Sequence, residues 1–262
     1  MSAVLAWLTD ARLWQIGIIL FAAAVGAFFA GVRLRRLHGR TQKLDGLSYL
    51  VSALGLLALL LGFAFSIAIQ RFEERRQLVV AQANAASSAY LAAQLLGTPH
   101  STQIGNLIKA YLVSQLALAK DGYPVRGVLR ARSDKVLDQI DKAVVGAVSD
   151  SPRGAAAILP LVNTTINLGD LDQARRAARK DHVPMEVYVL LSAYLVSTAG
   201  VLGYYLHRGE TFLTCFVLFL MCMSLLLIMD IDRPGSGGIQ EDQGPLEHVR
   251  AVLDTQAEAL GT

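Results

Sequence analysis

Chemistry by side chain would have to come from a few places in this chain, and most of them lack a partner in the sequence. His38, His100, His182, His207 and His248 are scattered, with no spacing that makes a metal site, and read as surface or interface residues. Ser87-Ser88 has no local histidine to act as a base, so a nucleophile there has no support. Gly235, Gly237 and Gly238 follow no strand and read as a flexible joint, not a phosphate cradle. Cys215 and Cys222 lie on one face of an apolar helical run, where a straight helix keeps them out of disulfide reach, and read as small buried hydrophobes. Asn163, Thr164 and Asn167 fall at helical spacing and are expected to tie helices together by hydrogen bonds. No enzyme, cofactor or metal follows from this set. Two patterns remain. Ala58, Gly62, Ser66 and Gln70 recur at every fourth position, and the charged run Arg71, Glu73, Glu74, Arg75 and Arg76 follows directly after them.

The element that carries both patterns is one helix. Residues 48–69 are apolar and long enough to cross a hydrocarbon layer of about 30 Å at roughly 1.5 Å per residue. At Gln70 the sequence turns polar with no glycine or proline to stop it, so the segment leaves the lipid while still helical. Lipid has no use for a ridge of small and mildly polar side chains; a neighbouring helix, a second copy of the chain or water does. Two readings of that face stay open: close packing within one chain, or the lining of a pathway. The five charges at the exit are read either as a ring that concentrates anions or as an interfacial, mutually paired helix end.

Composition places this helix in a membrane protein. The chain has 262 residues, 53% hydrophobic and 17% charged, and its apolar residues come in blocks unlike those of an ordinary soluble domain. Its 24 basic and 21 acidic residues nearly balance, which argues against a nucleic-acid partner.

In chain order, a short amphipathic lead precedes a first span at residues 13–32, closed by Arg33, Arg35 and Arg36. With only Arg12 ahead of it, and too long for a signal core, this run reads as a retained span. A connector with Gly39, Arg40 and Lys43 is too brief for a domain, so residues 1–70 are expected to hold a first transmembrane hairpin, with the second span at 48–69. Residues 71–183 form a helical soluble domain with no alternating strand pattern. Its first helix, Ala-rich with an apolar period at Phe72, Val79, Ala83, Ala86, Tyr90 and Ala93, ends before Gly97 and Pro99. Three more helices follow, from Ser101 or Thr102 to Ala119, over 128–148, and over 155–180. Residues 184–230 hold a second hairpin, with spans at 185–206 and 211–229 joined by His207, Arg208, Gly209 and Glu210. The tail, 231–262, opens at Asp230 to Pro234 and ends in a helix over 245–260. The expected fold is all-α: a four-transmembrane-helix protein with a helical-bundle domain between the second and third spans. Basic residues flank both the first connector and the large domain, so charge alone leaves the orientation open.

Three blocks carry a family resemblance. Gly62-Phe63-Ala64-Phe65-Ser66 runs on through Arg71-Phe72-Glu73-Glu74-Arg75-Arg76 to Val79, Ala83-Asn84-Ala85 and Ala89-Tyr90-Leu91. Asn163 to Asn167 leads through Arg175 and Arg176 to Pro184, and Asp230-Ile231-Asp232-Arg233-Pro234 precedes Gly238-Ile239 and Pro245-Leu246. Together they resemble the bacterial bestrophin-like membrane proteins, remote kin of the bestrophin anion channels, with Gln82 where that family usually has an acidic residue. The resemblance implies a pentamer in the inner membrane, with termini and helical domain in the cytoplasm and the second span of each subunit lining a path for inorganic anions such as chloride. Carried over by residue, it places Phe63 at an apolar neck with Leu59 and Gly55 one and two turns away, beside Gly62 and Ser66. Gln70, Arg71, Glu73, Glu74, Arg75 and Arg76 would form the charged exit. Phe72 stands where the bestrophins proper have tryptophan, and Asp230 and Asp232 are too few for the calcium clasp of those bestrophins that respond to calcium. A reading from another class is a non-conducting structural or regulatory membrane protein whose helical domain binds a partner.

Overall fold

The computed structural model describes residues 13–38, 45–120, 126–150, 156–205, 211–234 and 238–259. The amphipathic lead, both short connectors and most of the glycine patch lie outside them. Eight helices make up the described chain: α1 (Leu13–His38), α2 (Asp45–Gln94), α3 (His100–Lys120), α4 (Arg126–Asp150), α5 (Ile158–Ala178), α6 (Met185–Tyr205), α7 (Thr211–Asp232) and α8 (Gly244–Ala259). No strand occurs among the described residues. Four helices, α1, α2, α6 and α7, are long and apolar enough to cross a membrane.

The chain divides into two compact units. The first holds the span helices, with residues 1–71, 182–233 and 237–239. Within it α1 packs on α6 and α7, and α6 on α7. The α1/α6 crossing is backbone against backbone: a Cβ on Gly203 would land on the carbonyl oxygen of Phe28, and one on Gly31 would land on that of Gly200, 3.0 Å from the Tyr204 amide nitrogen. Only glycine lets two helices come so close, which is how small residues hold spans together where lipid offers no hydrophobic drive. On α7, Phe219 meets Phe21 edge to face at 5.9 Å.

Asp232 closes one end of this unit. It lies in the last turn of α7, which runs three residues past the expected end at Met229, so the two aspartates belong to the span helix and do not open the tail. Its buried carboxylate accepts from the Val183 amide at 3.0 and 3.1 Å and from the Tyr188 hydroxyl at 3.2 Å. Asp230 accepts from the amides of Gly238 at 2.7 Å and Ile239 at 3.2 Å. The motif at 230–239 is thus a structural clasp that satisfies backbone donors at the start of α6 and after α7.

The second unit comprises residues 72–181, 234–236 and 240–262. Its core is built from Val79, Ala83, Ala86, Tyr90 and Ala93 of α2, Ile104, Ile108 and Leu112 of α3, Ile140 and Val144 of α4, and Leu161 and Leu168 of α5. The alanines keep α2 thin, so bulky residues of the other helices reach it. Five of the six residues in the α2 period read from the sequence are buried, and Phe72 is half-buried. The chain after the fourth span joins the same core, since α8 packs on α3 and inserts Leu246 and Leu253. Each fully buried leucine is worth roughly 1.5–3 kcal/mol.

Candidate functional site

Within the span unit, α2 contributes least to the packing of the chain. Of its most apolar window 17% is buried, against 33% for each of the other three spans. The buried positions, Leu57, Ala64 and Ala68, fall on one narrow face. At about 100° per residue, Gly55, Gly62 and Ser66 lie opposite that face, with Leu59, Gln70 and Phe63 continuing the arc. All six are exposed in the single chain, Phe63 at 59% and Leu59 at 53%. A Cβ added to Gly55 or Gly62 meets nothing within 4 Å. Among the described residues nothing packs on the small-residue ridge, which weighs against the first of the two readings of that face.

At the helix exit the charges separate. Arg76 pairs with Glu73 at 3.3 Å on the surface, Gln77 donates to Glu73 at 3.4 Å, and Glu74 is exposed. Arg71 is half-buried. Arg75 turns inward instead, 2% exposed, with its Nε 3.1 Å from Glu241 Oε1. Glu241 also receives Arg179 at 3.2 Å, so one carboxylate holds cations from α2 and from the end of α5.

Beside this clamp lies a buried polar network that the sequence did not reveal. Asp172 of α5 accepts from the Tyr111 hydroxyl at 3.1 Å and from Gln115 Nε2 at 2.7 Å, both on α3, and pairs with Arg176. Arg176 also reaches Asp134 of α4. Gln82 of α2 donates to Tyr111 and accepts from Arg175 Nη1 at 2.6 Å, while Arg175 Nη2 donates to Gln243 at 2.6 Å. A glutamine suits position 82: its oxygen answers a guanidinium and its amide nitrogen a hydroxyl, without a second carboxylate beside Asp172. Burial, and next the Asp172 charge, raise the Tyr111 pKa and keep the phenol a donor. Burial and then the like charge of Arg179 lower that of Arg175 to about 10, so it remains a cation at neutral pH. Burial works against the Arg176 charge, but Asp134 and Asp172 outweigh it and raise its pKa.

The expected helix ties lie elsewhere. Thr164 bonds back to Pro160 and Leu161 of its own helix, and Asn163 and Asn167 are exposed with no interhelical bond among the described residues. Helix positions facing water have no reason to bond across; Gln82, Tyr111, Gln115, Asp172 and Arg175, at the buried positions, do that work. The described residues contain no group of three or more His, Cys, Asp or Glu that could hold a metal.

Fold and placement together define a helical membrane protein with four candidate spans and a helical domain carrying a buried ionic network. A family model for the Bestrophin-like domain matches residues 18–245, and the chain belongs to that family. Among solved structures it is similar to a single-site variant of a bacterial bestrophin homologue from Klebsiella pneumoniae, at 16% identity over 97% of this chain and 100% of that one, with a TM-score of 0.69. A second variant of that homologue gives 16% identity over 94% and 99%, with a TM-score of 0.67. A crystal structure described as a membrane protein gives 14% identity over 92% and 97%, with a TM-score of 0.68. At such identities the likeness is one of fold. No curated protein matches the chain.

Proposed function

We propose that the protein is an anion-preferring channel of the inner membrane, assembled from several copies, five by the family resemblance, with α2 of each subunit lining the pathway. The observation that carries this reading is the uncovered arc Gly55, Leu59, Gly62, Phe63, Ser66 and Gln70, which the protomer leaves open. Repeated around an axis, Phe63 and Leu59 form an apolar neck that gates by shedding water, and Gly55 widens the next layer. Gly62 and Ser66 let neighbouring helices approach. Gln70, Arg71, Glu73, Glu74 and Arg76 ring the exit, while Arg75 supports it from inside through Glu241. Chloride and similar inorganic anions are the permeant class. The termini and helical domain are cytoplasmic, which a reporter fused after Thr262 checks.

One observation favours a second reading, a non-conducting structural or regulatory membrane protein whose helical domain binds a partner: Arg76 and Glu73 cancel each other, which weakens the field at the exit. Halide flux into vesicles reconstituted with the purified protein separates the two. The channel reading requires flux that changes in Phe63→Ala; sealed vesicles with an intact assembly favour the second.

A further inference from the structure

The helical domain holds a partly open cavity of about 160 Å³ with an unusual wall. Arg130 of α4 and Arg175, Arg176, Arg179 and Lys180 at the end of α5 line it, with Asp172 the one carboxylate in the lining among the described residues. Cations gather at helix C-termini because the last carbonyls attract them, but Arg130 comes from another helix and owes nothing to that effect. The carboxylates paired with these cations are Asp134 and Asp172, shared by Arg176, and Glu241, which takes Arg179 and also Arg75. Arg130 and Lys180 form no ion pair among the described residues, and they sit nearer the surface.

The deep wall is also short of acceptors. Arg175 is 4% exposed, and its Nε, like the Nε of Arg179, is buried with no hydrogen-bond partner among the described residues. Leaving such a donor unmet costs about 1–3 kcal/mol, more for a charged group, so this wall is rich in donors and short of acceptors, and the two sealed Nε groups add to its positive field. Neutral glutamine oxygens already answer the remaining Arg175 nitrogens, and burial, then the like charge of Arg179, lowers its pKa. Water supplies an acceptor but no charge. A cavity of this size takes a group about as large as one benzene ring.

We propose that this cavity binds a small oxyanion, a phosphate-type group either free or borne on a larger molecule, with Arg175 and Arg179 lending positive charge from within and Arg130 and Lys180 donating from the outer side. Guanidinium groups are planar donors matched to tetrahedral oxyanions, whereas chloride offers no such geometry. The site lies within the helical domain and does not depend on conduction; a chain that carried no current would retain it.

The test uses the full-length protein in detergent, titrated calorimetrically with inorganic phosphate at constant ionic strength held by sodium chloride. Glycerol 3-phosphate in a second arm stands for a phosphate carried on a headgroup, and the tighter of the two identifies the source. Saturable binding of either, weakened roughly tenfold or more in Arg130→Ala/Lys180→Ala with the melting temperature of the unliganded protein unchanged, supports the site. Neither probe binding saturably, or both binding the double variant as tightly as the native protein, overturns it.

Discussion

Arg75 Nε stands 3.1 Å from Glu241 Oε1, with the two side chains only 2% and 5% exposed. This pair joins the long helix α2 to the segment after the fourth span, far away in sequence, and Arg179 completes it from the other side of the same carboxylate. Breaking a buried pair from one side strands a charge and costs about 3–5 kcal/mol. Glu241→Gln takes this charge from Arg75 and Arg179 together, so it should unfold the helical domain at markedly lower denaturant, read by circular dichroism in detergent. A loss under about 1 kcal/mol, the range of surface pairs, would show that the clamp is solvated.

Tyr111 sets a pH dependence. Burial and Asp172 raise its pKa above the ordinary 10, so the folded protein keeps the phenol proton where the unfolded chain loses it. The stability it contributes is fully present below pH 10 and is lost as pH rises beyond that value. Arg175, lowered to about 10, acts in the opposite sense over the same range, so the comparison belongs between the native protein and Tyr111→Phe. The variant should lose about 1–3 kcal/mol at neutral pH, through the unmet Asp172 and Gln82, and should show a shallower alkaline decline. Equal alkaline slopes in the two proteins would contradict the assignment.

Two glycines on different helices predict opposite phenotypes. Gly203→Ala drives a methyl into the Phe28 carbonyl at the α1/α6 crossing, where backbone cannot yield cheaply, and should cost about 1–3 kcal/mol or more. Gly62→Ala meets open space within the single chain and should leave its fold and melting temperature unchanged. A bulkier Gly62→Leu should instead lower the oligomeric mass measured by light scattering. If Gly62→Leu leaves that mass intact, the ridge does not face other copies.

Much of the fold was legible because α2 states its role in composition. Its apolar block, abrupt polar turn and alanine-rich second half need only local rules, and the buried positions from Val79 to Ala93 follow the helical period. The polar network was not legible, because its partners are brought together only by tertiary packing: Gln82 and Arg175 stand 93 residues apart. Arg75 read as one of five exit charges because local spacing cannot tell which arginine turns inward; only the chain around Glu241, folded against α2, decides it. Asn163 and Asn167 misled for the converse reason, since polar residues at helical spacing fall as readily on the wet face as on the buried one. Gly31 and Gly203 carried the one signal that was available and unused, small residues in two spans.

The central claim is that the ridge of α2 faces other copies of itself. A cryo-EM map of the detergent-purified assembly tests it most directly, because subunit number and the direction of Phe63 appear together. The account predicts a ring, five copies by the family resemblance, with Phe63 and Leu59 narrowing the axis and Gly62 and Ser66 at or beside it. A monomer, or a ring in which Gly62, Phe63 and Ser66 point into the detergent belt, would contradict it.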